Sequence, residues 1–284
     1  MGTRVKPESL RDMKQRGEPI VMMTCYDYPM AQLQDAVGVD VVFVGDSVGV
    51  NVLGYDHPMQ VTMADMVHHT RAVRRGVHCG LLLADLPFGS YATPEQTLEN
   101  AQLLMDAGAE VVKLEGGRHI LPQIEALVAD GIFVIGHLGY TPQTRTGERP
   151  VFGDRLHEAI EVLEDALLLE QAGALGVVLE CVPERVAQVV TERLGMPTIG
   201  IGAGRWCDGQ VLVLPDLLGI QEREFRFVKQ YARLRQPVKE AFSAYRDDVK
   251  ARRFPEDQHR FLIKRDVLRQ FKDWALQIEG AEHG

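Results

Sequence analysis

The sequence predicts an α/β fold, a TIM (β/α)8 barrel, on three observations. Eight short apolar, β-branched runs recur between turn residues along the 284-residue chain. Most of the intervals between them carry helix start and stop signals. Nearly every run ends on an ionisable residue, and barrel enzymes carry their function at the carboxyl ends of the strands.

The runs are Ile20–Cys25, Val41–Val44, Leu81–Ala84, Val111–Leu114, Phe133–Ile135, Val177–Leu179, Thr198–Ile201 and Val211–Leu214. Successive rather than alternating apolar residues are expected of parallel strands covered on both faces. Helices are expected at Tyr28–Val37, His119–Ala129, Arg155–Ala172 and Pro183–Leu194. Thr62-Met63-Ala64-Asp65 is a capping-box pattern opening a helix that stops at Gly76. Thr93-Pro94-Glu95-Gln96 combines an N-cap, a proline at the first helical position and a glutamine at N3, opening a helix to Ala107. Alternating strands and helices give a parallel sheet, and eight strands favour closure over an open sheet. Between the last two runs, Ala203–Gln210 is too short for a crossover helix, so a single turn or a misplaced strand end is expected there. After Leu218 no further strand appears. The expected organisation is one catalytic barrel over residues 1–262 and a helical extension over 263–284.

Composition narrows the function. A hydrophobic share of 45% suffices for a core, and no apolar stretch approaches a membrane span. Without a signal segment the expected location is the cytoplasm. A net charge of −9 argues against nucleic acid as a partner. Residues 221–284 nonetheless carry 15 Lys/Arg against 11 Asp/Glu, the pattern of a solvated helical tail. Cys25, Cys79, Cys181 and Cys207 are scattered, which disfavours a disulfide framework or a zinc knuckle.

The strand ends read Tyr26-Asp27, Asp46-Ser47, Asp85, Lys113 with Glu115, His137, Glu180, and Gly200-Ile201-Gly202-Ala203-Gly204. Each alone has a plainer account: Asp46 and Asp85 as turn residues, Lys113 as a neutralising charge, His137 as a satisfied core histidine. Their repetition on one rim is harder to explain structurally. Asp46, Asp85 and Glu115 from consecutive strands would repel one another, and a hard cation such as magnesium would relieve them. Lys113 lies two residues from Glu115 and so on the same strand face, where it can bind a substrate carboxylate. Glu180 is the candidate base. The glycine run lacks the long helix and downstream acid of a dinucleotide site, so close packing or backbone hydrogen bonding to a ligand is expected of it. His68 and His69 are helix neighbours pointing apart, not a metal pair.

The segments Tyr26-Asp27-Tyr28, Val44-Gly45-Asp46-Ser47, Leu83-Ala84-Asp85-Leu86-Pro87-Phe88, Tyr91-Ala92-Thr93-Pro94-Glu95-Gln96, Val112-Lys113-Leu114-Glu115-Gly116-Gly117, Gly136-His137-Leu138-Gly139, Leu179-Glu180-Cys181-Val182-Pro183 and Ile199 to Gly204 together resemble the ketopantoate hydroxymethyltransferase family. The likeness runs in order over most of the chain. It implies a barrel of the phosphoenolpyruvate/pyruvate type that transfers a one-carbon unit from 5,10-methylenetetrahydrofolate to 3-methyl-2-oxobutanoate through a magnesium-stabilised enolate. The products would be 2-dehydropantoate and tetrahydrofolate, in pantothenate biosynthesis. By position it implies one Mg2+ per subunit at Asp46, Asp85 and Glu115, keto-acid contacts from Asp46, Ser47, Asp85 and Lys113, and Glu180 as proton acceptor. His137, Tyr26 and Gly202 resemble further active-site positions. It also implies a homodecamer built from a pair of pentamers. Two departures stand out: the segment Thr144–Asp154 is shorter than in the family and carries Arg145, Glu148 and Arg149, and the tail runs on past the family's usual end. An alternative reading is another magnesium-dependent 2-oxo acid lyase or mutase on the same fold; a non-catalytic scaffold would have no reason to keep the whole acidic rim.

Overall fold

A computed structural model describes residues 4–144, 151–223 and 225–279. Arg145, Glu148 and Arg149 of the shortened segment lie outside the described residues. The chain divides into two compact units, Met1–Ala232 and Arg233–Gly284. The division falls inside the stretch that the sequence assigns to the barrel domain, at the point beyond which no strand follows.

The first unit opens with α1 (Ser9–Arg16) and then runs β1 (Ile20–Thr24), α2 (Tyr28–Val37), β2 (Val41–Val44), α3 (Met63–Arg74), β3 (Leu81–Asp85), α4 (Pro94–Asp106), β4 (Val111–Lys113), α5 (Leu121–Ala129), β5 (Val134–Gly139), α6 (Leu156–Gln171), β6 (Gly176–Glu180), α7 (Glu184–Arg193), β7 (Thr198–Ile201), β8 (Gly209–Leu212) and α8 (Leu214–Leu217). All eight strands pair in parallel with their sequence neighbours, and β1 pairs with β8 to close the barrel. The TIM-barrel expectation therefore holds. The last strand starts at Gly209 rather than Val211, and no helix separates β7 from β8. Gly209 has no side chain to mark it as a strand residue; a Cβ there would stand 2.5 Å from the Ile20 carbonyl oxygen of β1.

Local chemistry accounts for the helix starts. Thr62 accepts from Asp65 N–H while Asp65 reaches back to Thr62 N–H, a complete capping box. Thr93 caps Gln96 N–H, but Gln96 returns its oxygen to Ala92 N–H, one residue short of the expected partner. Asp27, not singled out from the sequence as a cap, accepts from Met30 N–H at the head of α2. Gly76 ends the third helix by necessity, because a Cβ there would lie 2.9 Å from the Tyr28 carbonyl oxygen.

Period-two alternation divides each strand between two layers. Val42, Val44, Leu82, Ala84, Val112, Val134, Val177 and Leu179 face the helices in the outer core. Ile20, Met22, Val41, Phe43, Leu81, Leu83, Val111, Ile135, Val178, Ile199 and Val211 fill the barrel interior. Continuing the inner column one more step in each strand gives Asp85 after Leu83, Lys113 after Val111, His137 after Ile135 and Glu180 after Val178. The polar layer is thus the top storey of the apolar interior.

The second unit contains α9 (Arg235–Lys250) and α10 (Arg265–Glu279). No residue of α9 is buried, and Phe242, Tyr245, Phe271 and Trp274 are all more than half exposed.

Gly139 holds the end of β5 against β6. Its φ is +93°, and a Cβ would collide with the Glu180 carbonyl oxygen. Gly139→Ala is expected to cost about 1–3 kcal/mol through the left-handed backbone and that contact, read as a lower urea midpoint, with a turnover loss because Glu180 is displaced. An unchanged midpoint would show that the two strand ends can part freely.

Candidate active site

The inner columns converge on a chamber of about 410 Å3 at the carboxyl ends of the strands. Asp46, Ser47, Asp85, Lys113, Glu115, His137 and Glu180 all line it. Its walls below are Phe43, Val178, Ile201, Val211 and Val213, which keep the polar groups on a dry floor. A larger groove of about 1720 Å3 beside β1 and β8 contains none of the acidic cluster.

Register sets the central pair. Asp85 of β3 lies opposite Lys113 of β4, and Lys113 Nζ stands 2.7 Å from Asp85 Oδ1. The same ammonium is 3.8 Å from Glu115 Oε1 and 3.3 Å from His137 Nδ1. His137 lies between two carboxylates, with Nδ1 3.2 Å from Glu115 Oε1 and Nε2 3.3 Å from Glu180 Oε2. Asp46 is tied in through its backbone N–H, which donates to Asp85 Oδ2 at 2.9 Å. Asp85, Lys113, Glu115 and His137 are buried, and Glu180 is the partly exposed member.

Burial this complete makes each charge depend on its neighbours. Burial, with repulsion from Asp85 and Glu115, pushes the Asp46 carboxyl up to about 8. Burial also raises Asp85, against the opposing pull of Lys113. Burial alone would lower Lys113, but Asp85, Glu115 and Asp46 outweigh it and hold the ammonium above its usual range. Burial and Lys113 act to lower His137, yet Glu115 and Glu180 carry it up to about 9. Glu115 stays below its usual range because His137 and Lys113 overcome its burial.

The donor set fits a hard dication. Its carboxylates offer oxygen ligands only, the choice of Mg2+ over zinc. Asp85 Oδ1 is buried against the Lys113 ammonium at 2.7 Å. Asp85 and Glu115 stand near enough to Asp46 to add to what burial does to its carboxyl. Among the described residues no three His, Cys, Asp or Glu side chains are gathered as a finished metal cage. Lys113 Nζ occupies the space between Asp85 and Glu115.

Two candidate positions stand apart. Tyr26 is buried and does not line the chamber; its hydroxyl shares a 2.8 Å hydrogen bond with Ser47 Oγ, which does. Gly202 lines the outer groove. Its φ is +65°, and a Cβ would lie 3.0 Å from the Phe227 ring. Gly204 is pressed against Glu184 in the same way, so close packing accounts for the glycine run. His68 and His69 do not point apart as expected: their rings meet edge to face at 5.3 Å, and His69 Nδ1 is 2.6 Å from the Tyr26 carbonyl oxygen. No disulfide joins the four cysteines. Sequence reasoning gave no role to Gln143, which is fully buried and bonded to Asp46, or to Tyr91, whose hydroxyl donates to Gln143. Their only signal was membership of polar, loop-like motifs after β5 and β3.

A parallel eight-stranded barrel with an ammonium, an imidazole and buried carboxylates gathered at its carboxyl mouth is a TIM barrel with its polar residues where enzymes of that fold carry their active sites. The fold is shared with phosphonopyruvate hydrolase, solved with oxalate and Mg2+, at a TM-score of 0.58 over 97% of this chain and 98% of that one. At 13% identity that likeness speaks for the fold alone. The sequence speaks further: the ketopantoate hydroxymethyltransferase family model matches residues 4–257. The 3-methyl-2-oxobutanoate hydroxymethyltransferase of Syntrophus aciditrophicus (strain SB) is 49% identical over 266 residues, covering 92% of this chain and 98% of its own. That of Chloroflexus aurantiacus (strain ATCC 29366 / DSM 635 / J-10-fl) is 48% identical over 260 residues, covering 90% and 92%. This chain belongs to the ketopantoate hydroxymethyltransferase family.

Lys113→Met should leave Asp85 and Glu115 buried without their cation, a loss of about 3–5 kcal/mol. Guanidinium denaturation in the presence of a chelator should show a lower midpoint, partly restored at acid pH where a proton can replace the ammonium. A wild-type midpoint would show that Lys113 is not the counter-charge.

Proposed function

We propose that the protein is a 3-methyl-2-oxobutanoate hydroxymethyltransferase, transferring a one-carbon unit from 5,10-methylenetetrahydrofolate to give 2-dehydropantoate and tetrahydrofolate. The observation that carries this reading is the unbroken set of contacts from Asp85 through Lys113, Glu115 and His137 to Glu180 in a chain of this family. Asp46, Asp85 and Glu115 would hold one Mg2+, which when bound supplies positive charge beside the keto and carboxylate oxygens of the substrate.

The chain's own groups then divide the work. Lys113 and Ser47 bind and orient the keto acid, the ammonium facing its carboxylate. Glu180, the most exposed acid of the cluster, takes the proton from C3 as the C3–H bond breaks and its electron pair moves into the enolate. His137 holds the Glu180 carboxylate in line, with Glu115 behind it. The apolar walls, Phe43 and Val211 among them, exclude water that would compete for the enolate. The folate methylene opens at one of its two nitrogens, which takes up a proton, to an iminium whose carbon the enolate attacks to form the C–C bond. A water then supplies the hydroxyl oxygen as the second C–N bond breaks, its remaining proton going to that nitrogen to give tetrahydrofolate. Folate has to approach from the mouth, where Asn51, His57, Tyr140 and Gln221 form the rim.

A homodecamer of two pentamers, located in the cytoplasm, completes the reading, with residues 263–284 as an extension of a catalytic domain over 1–262. The apolar side chains exposed on α9 and α10 support self-association. Among the described residues no helix is long and apolar enough to cross a membrane. Deletion of residues 263–284 should lower the sedimentation coefficient of the assembly, whereas an unchanged distribution would make the tail an appendage.

Proton abstraction can be separated from bond formation. With Mg2+ and 3-methyl-2-oxobutanoate in heavy water, and no folate, the C3 proton should exchange, as followed by NMR. Glu180→Gln should abolish the exchange while keto-acid binding stays near normal, since the amide is close to isosteric but cannot take the proton. A chelator should abolish it as well. Undiminished exchange in the glutamine variant would move the base elsewhere, and His137 would be the next group to test.

A further inference from the structure

Gln143 is fully buried and meets two of the chamber's acids, Asp46 and Glu115, from two different parts of the residue. Its side-chain amide donates to Asp46 Oδ2 at 2.8 Å and to the Leu86 carbonyl oxygen at 3.2 Å. Its backbone N–H donates to Glu115 Oε2 at 2.9 Å. Its Oε1 accepts from the Tyr91 hydroxyl, which also reaches the Glu115 carbonyl oxygen at 3.4 Å. Both amide hydrogens and the amide oxygen are used, and the acceptor oxygens of Leu86 and Asp46 fix which end of the amide faces Asp46.

The placement is unusual for a glutamine that merely fills the core. Gln143 lies in the turn after β5, closed by Thr144 N–H to the Thr141 carbonyl oxygen at 3.0 Å. From there it contacts the residues that follow β2, β3 and β4. A core-filling amide needs only backbone partners. This one spends a side-chain donor on the Asp46 carboxylate, whose backbone N–H is itself tied to Asp85. Removing that donor frees the Asp46 side chain to turn and deepens its repulsion from Asp85.

The geometry points to Gln143 as a positioning residue for the cation site, holding Asp46 and Glu115 in the arrangement that receives a divalent metal and tying that arrangement to the turn after β5. The inference rests on the metal reading of Asp46, Asp85 and Glu115. Partners of this kind, which orient metal ligands without touching the metal, are worth on the order of 10- to 100-fold in affinity.

Gln143→Met tests it: methionine keeps the length and the backbone N–H to Glu115 but has no donor for Asp46. Mn2+ serves as the probe, its binding to the full-length protein read from the electron paramagnetic resonance signal of the free ion. Wild type should bind one Mn2+ per chain, and Asp85→Asn should lose it. Gln143→Met should bind it on the order of tenfold or more weakly. A purely structural glutamine would lower the melting temperature and leave Mn2+ affinity unchanged, and that result would overturn the inference. If Gln143→Met does not fold, Tyr91→Phe replaces it; removal of the hydroxyl that holds the amide oxygen should also weaken Mn2+, and wild-type affinity there would overturn the inference in the same way. Failure of wild type to bind Mn2+, or undiminished binding by Asp85→Asn, would instead overturn the metal reading itself.

Discussion

The placement of one ammonium ion governs this structure's chemistry. Lys113 Nζ is 2.7 Å from Asp85 and 3.8 Å from Glu115, at the mouth of a barrel whose interior is otherwise hydrocarbon. In so dry a setting charges a few ångströms apart interact far more strongly than in water. Without the ammonium the acids could not remain together as anions. With it, and with the His137 imidazole beside Glu115, they can.

Stability and reactivity occupy different storeys of the same barrel. The lower interior, from Ile20 and Met22 to Leu81, Val111 and Val211, and the helix-facing shell behind it supply the apolar burial. The upper layer carries buried charges that only one another satisfy, Asp85 Oδ1 on the Lys113 ammonium and His137 Nε2 on the Glu180 carboxylate. The strands pass from one layer to the other in a single two-residue step, which is why a rigid apolar core can aim four ionisable side chains, Asp85, Lys113, His137 and Glu180, at one small volume.

His137 shows how the barrel converts composition into geometry. A histidine between two carboxylates is held charged, and each carboxylate is held in place by the charge. The partly exposed Glu180 is thereby linked to the deeply buried Glu115 and Lys113, so its position depends on the same electrostatic balance as theirs. Gln143 and Tyr91 extend that dependence to the loops after β5 and β3.

Much of this was legible in the sequence, because strand runs, helix caps and inward-facing columns are set within a few residues by backbone periodicity and local hydrogen bonding. Seven of the candidate residues, Asp46, Ser47, Asp85, Lys113, Glu115, His137 and Glu180, line one chamber for that reason. Other features were not legible. The start of β8 at Gly209 is marked by no side chain and is fixed by its pairing with β1 across the closure of the barrel. Gly202 packs against Phe227 instead of facing the chamber, and Tyr26 acts behind Ser47. Gln143 meets Asp46 across 97 residues of chain. Sequence alone determined which side chains each strand would present and on which face. Only the closed tertiary structure decided which of them meet, because those distances depend on the register of eight strands around a ring and not on any pattern local to one of them.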